Sequence, residues 1–411
     1  MMKNKKLFIS MFILPLLLTA GCSYDKGNTF INELLEGKVG TQESDDESST
    51  WDAVSKGDSD ESNTASSLVT FNEAEEAQVA DNYYYTQLSE ENQLIYRQIV
   101  YGIENHQYRI PVETTDPDIP HTIFYAVLMD YPEYFWLSGE STVWEMYNGS
   151  FYKLELGYNM EKEEIDSYQQ QIDSAVNEFL TYIPEESDTY TKVKLTYEWI
   201  INNTKYLEND NDQNIQSVLI QNESVCAGYA KTFQYLMNEL EIPCIYVEGY
   251  AEGEPHAWNI VDIDGVYTNV DCTWGEPYFE GEEDDYPETV IYDYLCITTE
   301  ELSRTHTPEE QYTYPDCTDQ AYDYYLLNNY YFNIYDENAI VQAGWDTINA
   351  GKEQTSMKFS NKESFHQALN LLDEGGKLED VAYQKMEWEG LDEYGYSYYY
   401  DDDLYTIKIF W

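Results

Sequence analysis

Residues 256–274 constrain the fold of this chain more than any other stretch. His256-Ala257-Trp258-Asn259-Ile260-Val261-Asp262-Ile263 reads as a strand, Asp264-Gly265 as a tight turn, and Val266 to Trp274 as the returning strand. Asp-Gly tolerates the positive φ angles of a two-residue hairpin turn, so Ile263 faces Val266 and the register is fixed. Trp258 then faces Asp271, and His256 faces Thr273. Side chains alternate along a strand, which puts His256 and Asp271 on one sheet face as diagonal neighbours that an imidazole–carboxylate bond can bridge. Cys272 points to the opposite face. A preceding strand, Tyr246 to Ala251, enters this hairpin through the turn Glu252-Gly253-Glu254-Pro255.

Upstream, Ser224-Val225-Cys226-Ala227-Gly228-Tyr229-Ala230 opens a helix. Ala230, Phe233, Leu236, Met237 and Leu240 recur at three and four residues on one apolar face, and Pro243 ends the run. Cys226 therefore sits at a helix amino terminus. Unpaired N–H groups and the helix dipole favour a thiolate there and can hold a developing oxyanion. A lone cysteine is more often a structural, buried one. A lone strand histidine is likewise usually structural. The order Cys, His, Asp on helix start, strand and next strand is what favours chemistry, with Asp271 orienting His256 and His256 taking the thiol proton. His106 and His366 read as helix residues, and His121 and His306 as loop or terminal ones.

The runs SVCAGYAKTFQYL, GEPHAWNIV and YTNVDCTWGEP resemble the transglutaminase-like superfamily in its bacterial extracytoplasmic form. The likeness is specific from about residue 214 to 277 and weaker from 191 to 301. It implies a papain-like α+β core with Cys226 as nucleophile, His256 as base and Asp271 as orienting acid. A side-chain oxyanion donor often precedes the cysteine in such folds, and Gln213 and Gln216 both qualify. Trp258 and Trp274 flank the site as candidate substrate-lining residues, with a packing role equally open.

The amino terminus carries a basic stretch, Lys3 to Lys6, an apolar run from Leu7 to Leu18 too short to span a bilayer, and then Leu18-Thr19-Ala20-Gly21-Cys22. This resembles a lipoprotein signal of residues 1–22, with Cys22 as the acylated residue. It leads to an expectation of a lipid-anchored protein on the extracytoplasmic face of the cell membrane. Two acyl chains anchor stably. With Cys22 acylated, five cysteines remain, an odd number that leaves at least one outside any disulfide.

Residues 23–80 are rich in Ser, Asp, Glu, Thr and Gly and read as a disordered acidic linker, with order beginning near Tyr83. An N-terminal α+β module follows (81–185), with a helix begun by Ser89 and a hairpin at Asn148-Gly149. The catalytic core covers 186–316 and a C-terminal α+β module 317–411. The net charge of −58 excludes nucleic acid as a partner, because phosphate binding needs clustered Lys and Arg. It reads chiefly as a solvated surface. The 42 tyrosines suit half-buried sheets.

No metal or cofactor is expected. There is no CxxC pair, and the calcium-like spacing Asp210-x-Asp212-x-Asn214 has Ile215 where Gly is needed and Gln221 where a bidentate Glu is needed. The sequence thus predicts cysteine-dependent acyl transfer on a protein or peptide substrate, with cell-wall-associated peptides among the candidates and water as acceptor. Cross-linking to an amine and a non-catalytic surface-binding role are the alternatives. The oligomeric state is not legible.

Overall fold

The computed structural model describes residues 69, 71–145, 152–276 and 290–411. The signal segment with Cys22, most of the acidic linker, the Asn148-Gly149 turn and the acidic loop from Tyr278 to Tyr286 lie outside the described residues. Two compact units divide at Ser174/Ala175, and each is taken by itself.

In the first unit order begins earlier than Tyr83. Asn72 Oδ1 accepts from the Glu75 N–H (3.2 Å) and Glu75 Oε2 from the Asn72 N–H (2.8 Å), a reciprocal cap for a short helix, Glu73–Gln78. Helix α1 (Glu90–Glu104) is capped by Ser89, which accepts from the Asn92 N–H, and buries Ile95, Ile99 and Ile103. Strand β1 is Arg109–Val112, helix α2 Ile119–Asp130, and strands β2 and β3 are Leu137–Glu145 and Tyr152–Tyr158. They form an antiparallel sheet in the order β1-β3-β2. The pairs Thr142–Glu155 and Glu145–Tyr152 centre on Asn148-Gly149, the register that turn requires. The division between the units falls inside helix α3 (Lys162–Tyr182).

The second unit begins with the end of α3 and continues into helix α4 (Thr189–Asn203), capped by Asp188. Two short parallel strands, β4 (Lys205–Tyr206) and β5 (Glu223–Ser224), lead to helix α5 (Cys226–Glu239). Tyr229, Phe233, Leu236 and Met237 of α5 are buried, and so is most of the rest of its circumference, so α5 is a central helix rather than a surface one. It packs on a five-stranded antiparallel sheet of order β10-β6-β7-β8-β9, where β6 is Cys244–Ala251, β7 Glu254–Ile263, β8 Val266–Val270, β9 Leu295–Ile297 and β10 His306–Pro308.

The β7–β8 register is the expected one. Ile263 pairs with Val266 and Asn259 with Val270. Asp264 (φ 54°) and Gly265 (φ 91°) both take positive φ, as the turn demands. The Asp262 carboxylate accepts from the Gly265 N–H at 2.6 Å and fixes the corner.

The chain then builds a four-stranded sheet, β11-β12-β14-β13, from β11 (Tyr331–Phe332), β12 (Gln354–Phe359), β13 (Ser397–Asp401) and β14 (Thr406–Phe410). Helices α6 (Glu337–Asn349), α7 (Lys362–Glu374) and α8 (Lys377–Glu389) supply Ile340, Phe365, Leu372 and Leu378 to its core, against Met357, Ile407 and Ile409. Two buried cation–carboxylate clusters connect this sheet to the segment carrying β9 and β10. Lys358 of β12 pairs with Glu301 (2.6 Å) and Asp323 (2.9 Å), and Lys408 of β14 pairs with Asp293.

Candidate active site

Cys226 is the first residue of α5 and is buried. Val225 before it is extended and supplies no side-chain cap, so nothing on that residue competes for the first-turn N–H groups. Gly228, two residues on, is required by close packing. A Cβ there would stand 2.0 Å from Ser224 Oγ, 2.6 Å from Ser217 Oγ and 2.7 Å from the Asp212 carbonyl. The helix start is tied to both strands of the hairpin region. The Ala230 carbonyl accepts from Asn259 Nδ2 on β7 (3.0 Å), and the Tyr229 hydroxyl donates to Glu276, five residues past Asp271.

His256 and Asp271 meet directly. Nε2 of His256 lies 2.7 Å from Oδ2 of Asp271, with the histidine side chain 7% exposed and the carboxylate 1%. Asp271 has just left the β8 ladder, its own N–H donating to the Tyr294 carbonyl (3.0 Å). Its Oδ1 accepts from the N–H groups of Thr273 (2.9 Å) and Trp274 (3.1 Å). Burial alone would raise this carboxyl. The imidazoles of His256 and His306 outweigh burial and hold it well below the usual carboxylate range.

His306 is the residue that sequence reasoning missed. Placed by sequence in a loop, it lies on β10, paired with Ala251 of β6, and its Nε2 stands 3.1 Å from the same Oδ2 of Asp271. Its Nδ1 lies 2.7 Å from the Thr305 hydroxyl. So His256 is not alone in having the hairpin carboxylate within reach. A three-residue strand ending at Pro308 has no periodicity to read, and its partner is 35 residues away in sequence.

Trp258 is buried with its ring nearly parallel to that of His256, at 6.3 Å. Trp274 is half-buried, 6.0 Å from His256 and 4.7 Å from His306. Of the two tryptophans, Trp274 is the one with surface to offer a ligand, while Trp258 packs behind the imidazole. Gln213 is exposed, and its Nε2 donates to Asp212 (2.9 Å). Gln216 is buried beside Ser217, its Oε1 without a hydrogen-bond partner. Cys226, Cys244, Cys272, Cys296 and Cys317 form no disulfide. Burial pushes the thiols of Cys244, Cys272 and Cys296 far up, and that of Cys317 up to about 11.

His256, Asp271 and His306 are of residue types that can ligate a divalent metal, and their polar atoms lie within 4.8 Å of one another. Two ligands on a tetrahedral zinc, each about 2.0–2.1 Å from it, stand roughly 3.3 Å apart. The observed 2.7 and 3.1 Å contacts are hydrogen-bond distances, and the arrangement fits shared protons better than a metal.

Comparison with known proteins places these residues in context. The family model for the transglutaminase-like superfamily matches residues 178–272, which include Cys226, His256 and Asp271 and stop short of His306. Kyphoscoliosis peptidase of Mus musculus is 26% identical over 134 residues, covering 28% of this chain and 20% of that protein, and the Homo sapiens protein gives the same figures. The chain thus spans about a fifth of the length of these curated relatives. Among solved structures, a TGase has 19% identity and a TM-score of 0.25, covering 36% of this chain and 48% of its own. A Cytophaga hutchinsonii protein, provisionally assigned as a cysteine protease, has 19% identity and a TM-score of 0.23, covering 33% and 61%. Residues 178–272 are therefore a transglutaminase-like superfamily domain within a longer chain.

Proposed function

We propose that this protein is a cysteine-dependent acyl-transfer enzyme acting on a peptide or amide substrate, with water as acceptor. The observation that carries the reading is the buried 2.7 Å contact between His256 and Asp271, on a sheet against which the helix beginning at Cys226 packs. With Nε2 bound to the carboxylate, Nδ1 of His256 is the nitrogen that exchanges protons. It takes the Cys226 proton as the sulfur attacks the substrate carbonyl carbon. First-turn N–H groups of α5 hold the developing oxyanion, with Gln216 as the side-chain candidate. The tetrahedral adduct collapses, the C–N bond breaks, and His256 returns the proton to the leaving amine. Water then attacks the thioester, giving its proton to His256, and the acid leaves as the thiol re-forms.

Water is preferred because the segment Tyr278-Phe279-Glu280-Gly281-Glu282-Glu283-Asp284-Asp285-Tyr286 after the site is strongly acidic. Its charge attracts a lysine but keeps it protonated and non-nucleophilic. The lipobox-like run ending at Cys22 supports a place on the outer face of the membrane, with envelope peptides within reach. The test incubates the protein with glutamine-containing and wall-derived peptides and a labelled primary amine. Hydrolysed peptide should dominate by mass spectrometry. Predominant amine incorporation at modest amine concentration would instead identify a transglutaminase.

A further inference from the structure

We infer that His306 is a positioning residue for the proposed reaction, a neutral imidazole that shares Asp271 Oδ2 with His256 and so limits how strongly the carboxylate holds the His256 proton. The inference rests on the proposed roles of Cys226, His256 and Asp271.

The geometry leaves His306 little choice of state. Its side chain is fully buried, and the Thr305 hydroxyl at 2.7 Å from Nδ1 can donate to it, leaving the proton on Nε2 to face Asp271. Burial and the neighbouring His256 both disfavour a charge on it, and they outweigh the pull of Asp271. The ring is wedged among Trp258 (5.3 Å), Trp274 (4.7 Å), Tyr294 (5.7 Å) and His256 (5.2 Å). Its strand is fixed on both sides. The Thr305 carbonyl accepts from the Glu252 N–H at 2.8 Å. Arg304 donates to the Asp403 carbonyl at 2.6 Å and lies 4.8 Å over the Tyr405 ring.

The consequence follows from the carboxylate's four donors. Oδ1 is held by two backbone N–H groups, so Asp271 keeps its place without His306. Oδ2 is divided between two imidazoles. A second donor on one oxygen takes up part of the carboxylate charge that would otherwise hold the His256 proton. That matters for a group that must both accept the thiol proton and return it to the leaving amine. The other titratable groups facing the pair and its carboxylate include Cys272, Tyr197 and Tyr294, each of which feels Asp271, with Glu252 on the β6–β7 turn and Arg304 next along the chain, and none of these changes in the variants below.

The test is the pH dependence of Cys226 alkylation by iodoacetamide in the full-length protein, followed by peptide mass spectrometry. The profile of a thiolate–imidazolium pair has an upper step where the imidazolium loses its proton. In His306→Phe, which keeps a ring among the tryptophans but donates nothing, this step should move up by about half a pH unit or more. His306→Gln carries an amide nitrogen that can reach the Nε2 position, and should restore the original step. His306→Asn reaches only the Nδ1 position and should behave like His306→Phe. It serves as the readout if His306→Phe does not fold. An unchanged upper step in both His306→Phe and His306→Asn, with Cys226 still the labelled thiol, would overturn the role of His306. Absence of preferential Cys226 labelling in the unmodified protein would overturn the reading of the site on which that role rests.

Discussion

On the proposed mechanism, replacing Asp271 by Asn should lower turnover by roughly 10²–10⁴-fold and leave the melting temperature nearly unchanged. The Asn carbonyl can still accept the Thr273 and Trp274 N–H groups that hold Oδ1. Its amide nitrogen, however, meets two imidazole Nε2 atoms that now face a donor. Both rings can respond by moving the proton to Nδ1. For His306 the Thr305 hydroxyl then turns toward the Leu302 carbonyl at 3.4 Å. The fold tolerates that exchange, but the chemistry does not. A His256 carrying its proton on Nδ1 cannot take one from Cys226, and no negative charge remains to stabilise the imidazolium. Paired kinetics and thermal melts check the claim, and turnover within a few-fold of the unmodified protein would contradict the role given to Asp271.

The second large effect is on stability. Lys408→Met should cost about 3–5 kcal/mol of unfolding free energy, because it strands Asp293 as a buried, uncompensated charge. Burial would raise the Asp293 carboxyl, but Lys408 outweighs it, and hydrogen bonds from Tyr325 and Thr406 lower the carboxyl further. Adding Asp293→Asn to Lys408→Met should recover a substantial part of the loss, as the charge is removed with its partner. Denaturant melts of the single and double variants decide it, and equal stability of Lys408→Met and the unmodified protein would sink the argument. The same logic fixes the acid limb of stability. Asp293 and Glu301 are both held below their ordinary carboxylate values, by Lys408 and Lys358 against the opposing effect of burial. Their contribution is present above the unfolded value of about 4 and disappears as pH falls through the folded values.

These two experiments fall on opposite sides of what the sequence discloses. The His256–Asp271 contact was legible because turn chemistry is local. Asp264-Gly265 fixes one register, and alternation carries that register seven residues to the site. The α5 start was legible from apolar spacing and Pro243. The buried lysines were not. Lys358 and Lys408 sit in strands that read as ordinary alternation, Met357-Lys358-Phe359 and Ile407-Lys408-Ile409. Their partners lie far away in sequence, so only the tertiary fold shows that both faces of β14 are covered. His306 was hidden for the same reason, since a three-residue strand has no pattern of its own. The short helix at Glu73–Gln78 was lost in the acidic composition around it, although the Asn72–Glu75 cap spacing was there to be read.

The proposed chemistry depends most directly on the reactivity of one sulfur. Alkylation rates of the five cysteines from Cys226 to Cys317, measured near neutral pH in the unmodified protein and in His256→Ala, test it with no substrate in hand. Burial suppresses thiolate formation at Cys244, Cys272, Cys296 and Cys317. On the proposed roles, the helix start and His256 favour it at Cys226. Cys226 should therefore react at least about tenfold faster than any other, and His256→Ala should erase most of that lead. Faster reaction at another cysteine, or a Cys226 rate indifferent to His256→Ala, would contradict the assignment of this site to acyl transfer.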